Sequence, residues 1–522
     1  MRLRVARIQL FSGPVAGPLR LAGSVCSVAF FLLSIHFFSV LAMSILATPT
    51  TKQLLADHDI TAAIERLYSR RQGVSATWIE VCTTEGIVTL KGFTDNLLSL
   101  DRAEEIAKLV RGVRGVVNEL EIRTPEVPDA KLLIDIKEGL ATNPATQDCP
   151  VEYLVQAGEV ELRGTVRSWA ERQQVLRVAK GVRGIRCITD NLTYMPAITP
   201  RPDEEMAASI RELLRWNVRV HAGLVSVNVK QGTVKVSGVV GSDLERSEVI
   251  AIAWSAGAAK AVDSKALRVE PWVPTEDLRQ DKYAYHSEAE IAQAVHDAFV
   301  YDPRLLSFEP VVSMQGSAVT LAGTVSSLAA KRAAEQDAHN VVGVSWVNNR
   351  LKVRPAAAFE DSTLQHNVQA ALTRDPYVGR FDFTVEVHNG VIGLGGSVPT
   401  HFEAAHAEQL AAGISGVVQV DNHLQVTANS PAWFGRSPDG KLAHTVNLDQ
   451  AIEQVIRQEL YWNALLHDLN IQVSVKNGQA TLRGNIENWH QAQLAIHCAL
   501  AGGANSINNK LRTTSESVFN GY

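Results

Sequence analysis

Six times along this chain of 522 residues a glycine is followed, about 28 residues later, by a leucine that closes a short apolar strand. The pairs are Gly92 and Leu120, Gly164 and Leu192, Gly238 and Leu267, Gly323 and Leu351, Gly396 and Leu424, and Gly484 and Leu511. Before each glycine runs a Gly turn and a short alternating strand, and after it an amphipathic helix. Intervals between copies vary over roughly 72 to 88 residues, so insertions fall between units and not inside them. Solenoid periods are about 20 to 50 residues, too short to fold alone, whereas a repeat near 70 can close a modest core that its neighbours help to stabilise. Hydrophobic content of 46% and charged content of 20% agree with folded units.

Each unit opens with a helix, because Ile60–Arg70, Lys131–Ala141, Met206–Trp216, Glu290–Val300, Leu364–Thr373 and Ala451–Leu460 place apolar residues at helical spacing. Five of these helices run into Asn143, Asn217, Asp302, Asp375 or Asn463, and in three a proline follows. Proline cannot continue a helix and biases its predecessor away from one. A hairpin comes next. Val225, Val227 and Val229 alternate into Gln231-Gly232 and then Val234 and Val236, which predicts one buried and one exposed face. Asn389-Gly390 and Asn477-Gly478 are two-residue turn signals, while in repeat four Gly316 comes one residue early and Ser317 takes the turn position. The paired positions Val88 and Leu90, Val160 and Leu162, Val234 and Val236, Val319 and Leu321, Ile392 and Leu394, and Ala480 and Leu482 are the expected core. Gly115, Gly184, Gly343 and Gly416 suit a left-handed cap after the second helix. Repeat three lacks that glycine and has Asp263-Ser264-Lys265-Ala266 where other copies carry an Asn or Asp pair, so its last strand is the least defined.

The fold class is therefore α+β, with six αββαβ repeats at 57–124, 129–195, 203–270, 287–354, 361–427 and 449–513, preceded by a distinct N-terminal segment in residues 1–50. Arg2, Arg4, Arg7 and Arg20 come first, and then Leu21–Ala47 runs without any formally charged residue. At about 1.5 Å per residue such a run exceeds the hydrocarbon thickness of a bilayer. Basic residues before it place everything after it outside the cytoplasm. Its length favours a retained signal anchor over a cleaved signal, with cleavage after Ala42-Met43-Ser44 or Ala47 as the alternative.

A helix ending in Asp-Pro or Asn-Pro, a hairpin reading Gly-x-Val-x-Leu-x-Gly, a second helix, then Gly-Val before Asn-x-Leu-x-Val resembles the BON domain, the module of bacterial osmotic-shock and nodulation proteins. The resemblance recurs six times over residues 57 to 513. It implies two helices on a three-stranded mixed sheet, an exported location in the cell envelope, attachment to phospholipid or envelope proteins, and no family-wide catalytic residues. No cofactor is expected.

The residues agree with a non-enzymatic reading. Net charge is −5, and −9 once the first fifty residues are set aside, which argues against a nucleic-acid partner. Gly393-Leu394-Gly395-Gly396 lies within a strand and lacks the lysine of a phosphate loop. His490 and His497, or His401 and His406, are not at the i, i+4 spacing of a zinc helix, and no metal site is expected. Trp169 and Trp489 recur five residues after the second glycine, and Trp216 and Trp462 end the first helix. They read as packing anchors or as an amphipathic lip at a membrane interface. Cys149 and Cys187 would allow a bridge within repeat two in an oxidising compartment. Lys108, Arg111 and Arg114 recur in the same spacing as Lys180, Arg183 and Arg186, with nothing comparable in repeats three to six. These six residues either complement helix dipoles or contact anionic headgroups. The expected partners are a phospholipid membrane or envelope proteins, in envelope maintenance or osmotic protection. A scaffold or accessory of a transport assembly is the alternative.

Overall fold

An acidic residue at the start of each first helix sets the architecture of its repeat. In a computed structural model that describes residues 55–513, apart from 71–72, 196–200, 257–258, 306–307, 309, 356, 358 and 428–447, the first helices are Asp57–Arg70, Asp129–Thr142, Asp203–Trp216, Glu288–Val300, Asp361–Arg374 and Leu448–Trp462. The amides of Glu85 and Gly86 at the hairpin turn donate to the Asp57 carboxylate at 2.8 and 2.9 Å. Asp129, Asp203, Asp361 and Asp449 accept the same two bonds from their own turns, always 28 and 29 residues on. One carboxylate thus favours the positive end of its helix and fixes the hairpin over it. The Gly86 carbonyl in turn accepts from Arg114 at 2.8 Å, which ties the third strand to the same point.

Turn chemistry follows the sequence. Asn389 and Gly390, like Asn477 and Gly478, both have positive φ, as a type I′ turn requires. In repeat four Gly316 alone has positive φ and Ser317 does not, the pattern of a type II′ turn. Only one bond, from Gly316 to Glu288, remains there. The second glycine is sterically fixed: Gly92 has φ +107°, and a Cβ on it would lie 2.0 Å from the Trp78 carbonyl oxygen.

Each repeat forms a mixed sheet in which the central strand pairs antiparallel with the first and parallel with the last. In repeat one these are Ile79–Thr84, Ile87–Thr94 and Gly115–Ile122. The last strand is interrupted in repeats four and five. The loosely specified last strand of repeat three forms over Ala261–Val269, parallel to its neighbour and with a register shift between Lys235 and Ser237. The second helices are Leu97–Lys108, Trp169–Lys180, Asp243–Ser255, Leu328–His339, His401–Ala412 and Trp489–Ala501. Both helices cover one sheet face, and all twelve expected core residues of the central strands are at most 1% exposed. Fully burying a side chain such as Leu90 stabilises by about 1.5 to 3 kcal/mol. One capping residue differs from the expectation. Gly112, not Gly115, takes the left-handed conformation in repeat one, since Gly115 already begins the last strand.

The repeats pair in a nested order. Arg111 donates to the Trp462 carbonyl and Ala464 to that of Leu109, both at 2.8 Å, joining repeats one and six. Arg183 donates to Arg374 at 2.9 Å and Ser415 to Thr142 at 2.8 Å, joining two and five. Val218 donates to Asn340 and Val342 to Trp216, both at 2.8 Å, joining three and four. In every pair the end of one repeat's first helix meets the end of the other's second helix. The two–five pair makes this contact in both directions, as a local two-fold axis demands.

Two of the recurring tryptophans are anchors of this pairing. Trp216 is buried within the core of repeat four, and Trp462 packs against that of repeat one. Trp489 stacks on His339 of repeat four at 4.0 Å between ring centroids. The apolar run Leu21–Ala47 lies outside the described residues, among which no helix is long and apolar enough to cross a membrane.

Candidate functional site

The second helices turn a common position toward the interior of the six-repeat body. Thirteen residues after the second glycine stand Glu105, Arg177, Ala251, Gln336, Gln409 and His497. The first five line two adjoining cavities, of about 1150 and 860 Å³. The larger lies between repeats one, two, four and five, the smaller between two, three and four. Gln173, Gln174, Arg177, Pro303, Arg304 and Gln336 line both and form the waist between them.

Charge at this waist is unevenly compensated. Arg304 is held by Asp302, with Nε 2.9 and 3.0 Å from its two carboxylate oxygens. Among the described residues the Arg177 side chain has no hydrogen-bond or ion-pair partner, while its carbonyl accepts from Gly181 at 3.1 Å. The Arg177 side chain is exposed at the cavity wall; desolvation and the nearby Arg304 cation lower its guanidinium pKa, while the Glu105, Asp302 and Asp101 carboxylates act in the opposite sense. Across the larger cavity Arg374 is 10% exposed, its pKa is lowered by burial, and its Nη1 lacks a hydrogen-bond partner, with Glu138 at 4.0 Å. Asp337 has an unpartnered buried Oδ2, and burial together with the Asp302 charge raises its carboxyl pKa well above the ordinary range. Glu105 is raised as well, by burial and then by Asp101. The larger cavity is lined by seven Arg and Lys side chains against five carboxylates, inside a protein that is acidic overall.

The six basic residues expected at headgroups are spread over several seams. Lys108 pairs with Glu104 at 2.7 Å, and Lys180 reaches across to Asp101 of repeat one at 2.7 Å. Arg111 lies over Tyr461 of repeat six, and Arg114 over Trp272 in the linker after repeat three. Arg183 and Arg186 keep exposed side chains.

His406 contacts Asp375 at 2.8 Å, and burial lowers the pKa of His490 to about 4. Among the described residues no group of three or more possible metal ligands comes together. Cys149 and Cys187 are both free thiols, so the bridge allowed by the sequence is not formed. The Cys149 thiol is pushed up to about 12 by burial and by the nearby Glu171 carboxylate. Sequence reasoning did not find Arg177. Its signal was the interval from the second glycine, which places unlike residues at one equivalent interior position.

The BON domain matches at residues 56–124, 128–196, 202–271, 287–355, 360–428 and 448–515. Over 143 residues the chain is 28% identical to osmotically-inducible protein Y of Escherichia coli (strain K12), covering 26% of this chain and 71% of that protein. Among solved structures it is similar to CdsD, a structural protein of the Type III secretion system of Chlamydia trachomatis, at 17% identity over 45% of this chain and 97% of that one. The TM-score there is 0.12, so this likeness says nothing about how the six repeats are arranged. With family matches over most of its length and the same αββαβ unit in each, the chain belongs to the BON domain family as a tandem array of six copies.

Proposed function

We propose that this is a non-enzymatic protein of the bacterial cell envelope, acting in osmotic-stress protection by binding phospholipid or envelope components. The observation that carries the reading is the BON domain repeated six times, together with a likeness to an osmotically-inducible protein over 143 residues, about two repeats. Export is supported by the arginine-flanked apolar run at Leu21–Ala47. Arg183 and Arg186, still exposed, support a local contact with anionic headgroups, worth about 1 kcal/mol per basic residue near a surface. Fractionation of the native host before and after a hyperosmotic shift tests the proposal. The protein is expected with the envelope, and a deletion strain should recover more slowly from the shift. A cytoplasmic protein, or recovery equal to the parent's, overturns it.

A second reading, a protein-binding scaffold, is favoured by the outer sheet face of repeat four. Val311 and Trp346 are each 64% exposed there, beside Ser313, Gln315, Ala318 and Thr320. These six residues are uncharged, and exposed apolar patches mark interaction sites. Detergent extraction followed by co-purification separates the readings: stoichiometric protein partners support the scaffold, and bound phospholipid supports the lipid contact.

A further inference from the structure

We infer that the outer sheet face of repeat six is a binding site for a phosphate group, held by Arg483, Lys510 and Arg512. The sheet of this repeat is built from Gln472–Lys476, Gln479–Ile486 and Ser506–Thr513. Val473, Leu482 and Leu511 pack on the core, so the residues that alternate with them face outward. Those outward positions carry Lys476, Arg483, Lys510 and Arg512 among neutral polar side chains, and no acidic residue stands on any of the three strands. Arg483 is the direct cross-strand partner of Lys510, and Asn485 that of Arg512, on parallel strands. Neighbouring strands lie about 4.8 Å apart and alternate residues of one strand about 6.6 Å, so the three long cationic side chains start close enough to meet over one ligand group. Together with Asn485 they line a single shallow concavity of about 570 Å³.

Other repeats neutralise the same positions. The residues just before the second glycine and the closing leucine are Lys91 and Glu119 in repeat one, an ion pair at 3.7 Å. In repeat two Arg163 faces Asn191 and pairs with Glu161 at 2.8 Å. Repeat six instead sets a lysine opposite an arginine, and like charges facing each other across a sheet repel. Among the described residues the side chains of Arg483, Lys510 and Arg512 have no hydrogen-bond or ion-pair partner, and all three residues are exposed. A bound oxyanion relieves that repulsion. A phosphate monoester, with a charge of about −2 and three acceptor oxygens, matches three converging cations better than a carboxylate does. The planar fork of arginine takes phosphate oxygens in pairs, and lysine adds a point charge. Gln472, the antiparallel partner of Arg483, and Asn485 bring amide donors to the rim. The site uses none of the basic residues of repeats one and two, so it stands independently of the headgroup contact proposed for Arg183 and Arg186.

The experiment is titration calorimetry of the full chain in detergent at low ionic strength, where an exposed site is least screened. The probes are inorganic phosphate, glycerol 3-phosphate and glycerophosphoglycerol, the headgroup of an anionic phospholipid without its acyl chains, each against sodium chloride of matched ionic strength. At least one probe is expected to bind. Binding of inorganic phosphate or glycerol 3-phosphate without glycerophosphoglycerol assigns a free phosphate or phosphate monoester. Binding of glycerophosphoglycerol, alone or with the others, assigns a headgroup phosphodiester. Lys510→Gln removes an exposed side chain that has no partner, so it should melt at or above the parent without ligand. Its affinity should fall about tenfold, as for the loss of one charged hydrogen bond. Lys476→Gln makes the same change in net charge on the same face but beside the hairpin turn, and should bind as the parent does. If no probe binds above the chloride control, or if Lys510→Gln binds as the parent does, the inference is overturned. An equal loss of affinity in Lys476→Gln would likewise overturn it, by showing a response to net charge alone.

Discussion

Replacing Trp462 by alanine should weaken repeat one, roughly 350 residues upstream, and leave the adjacent repeat five unchanged. Trp462 ends the first helix of repeat six, yet its indole packs against the core of repeat one, with the Arg66 guanidinium 5.9 Å from the ring centroid. Truncating a fully buried Trp or Phe costs about 3 to 5 kcal/mol, and a cation–π contact contributes about 0.5 to 1 kcal/mol. The ring is half-buried, which reduces the expected loss to about 2 kcal/mol at this seam. The backbone bonds from Arg111 and Ala464 survive the change, so the pair should loosen without dissociating. Native-state hydrogen exchange reads the effect by segment. A local loss of about 2 kcal/mol speeds exchange about 30-fold. That acceleration is expected over Ala103–Val113, with Val368–Val378 of repeat five as the unaffected control. Faster exchange in repeat five, with none in repeat one, would refute the nested pairing.

Asp129→Ala removes the acceptor for the Ala157 and Gly158 amides and should lower stability by roughly 2 kcal/mol, since bonds to a charged group contribute about 1.5 to 3 and water partly replaces them at an exposed turn. An unchanged urea midpoint would show that the turn holds without the carboxylate. His339 is buried, and burial lowers its pKa to about 4, below the unfolded value of about 6.5. Its contribution is therefore complete above about pH 6.5 and is lost as pH falls toward 4, on the order of 3 kcal/mol in all. His339→Phe should flatten the acid side of the Tm profile, and a profile parallel to the parent's would contradict this. Iodoacetamide should modify the exposed Cys82 and Cys187 well before Cys149, whose thiol is raised to about 12, as read by peptide mass spectrometry. Equal rates at Cys149 and Cys187 would mean the Cys149 surroundings are wrongly described.

What could be read from the chain was what depends on near neighbours. Period two placed Val88 and Leu90 in the core, and the Asn-Gly pairs fixed turn type, because strand alternation and positive φ are local demands. Gly112 was missed because Gly115 stands close by and suits a helix end equally well on composition. The acidic clamp was visible at a constant interval from Asp57 to Asp449, but an aspartate in the first turn of a helix is ordinary and gives no sign of a distant turn. Arg177 was hidden for a different reason. On its own helix it is one more solvated cation, and only the packing of other repeats beside it makes it line two cavities. The recurring basic residues at the end of the second helix were legible as a pattern, but Lys180 and Arg111 find their neighbours in repeats one and six, which no local pattern reveals.

The order of pairing also sets a clock on folding. Repeats three and four meet across roughly 120 residues of chain, and one and six across roughly 350. Loop-closure entropy grows only logarithmically, so the outer pair is penalised by about 1 kcal/mol more than the inner one. Time separates them further. At about 5 to 20 residues per second of synthesis, repeat one waits about 20 to 70 s for its partner to be made. During that interval the groove that will receive Trp462 is open to solvent, while repeats three and four can already close. A chain cut short before repeat six would thus be left with its oldest unit incomplete and its middle intact. The weakest point of such a fragment would lie at its beginning, far from the cut.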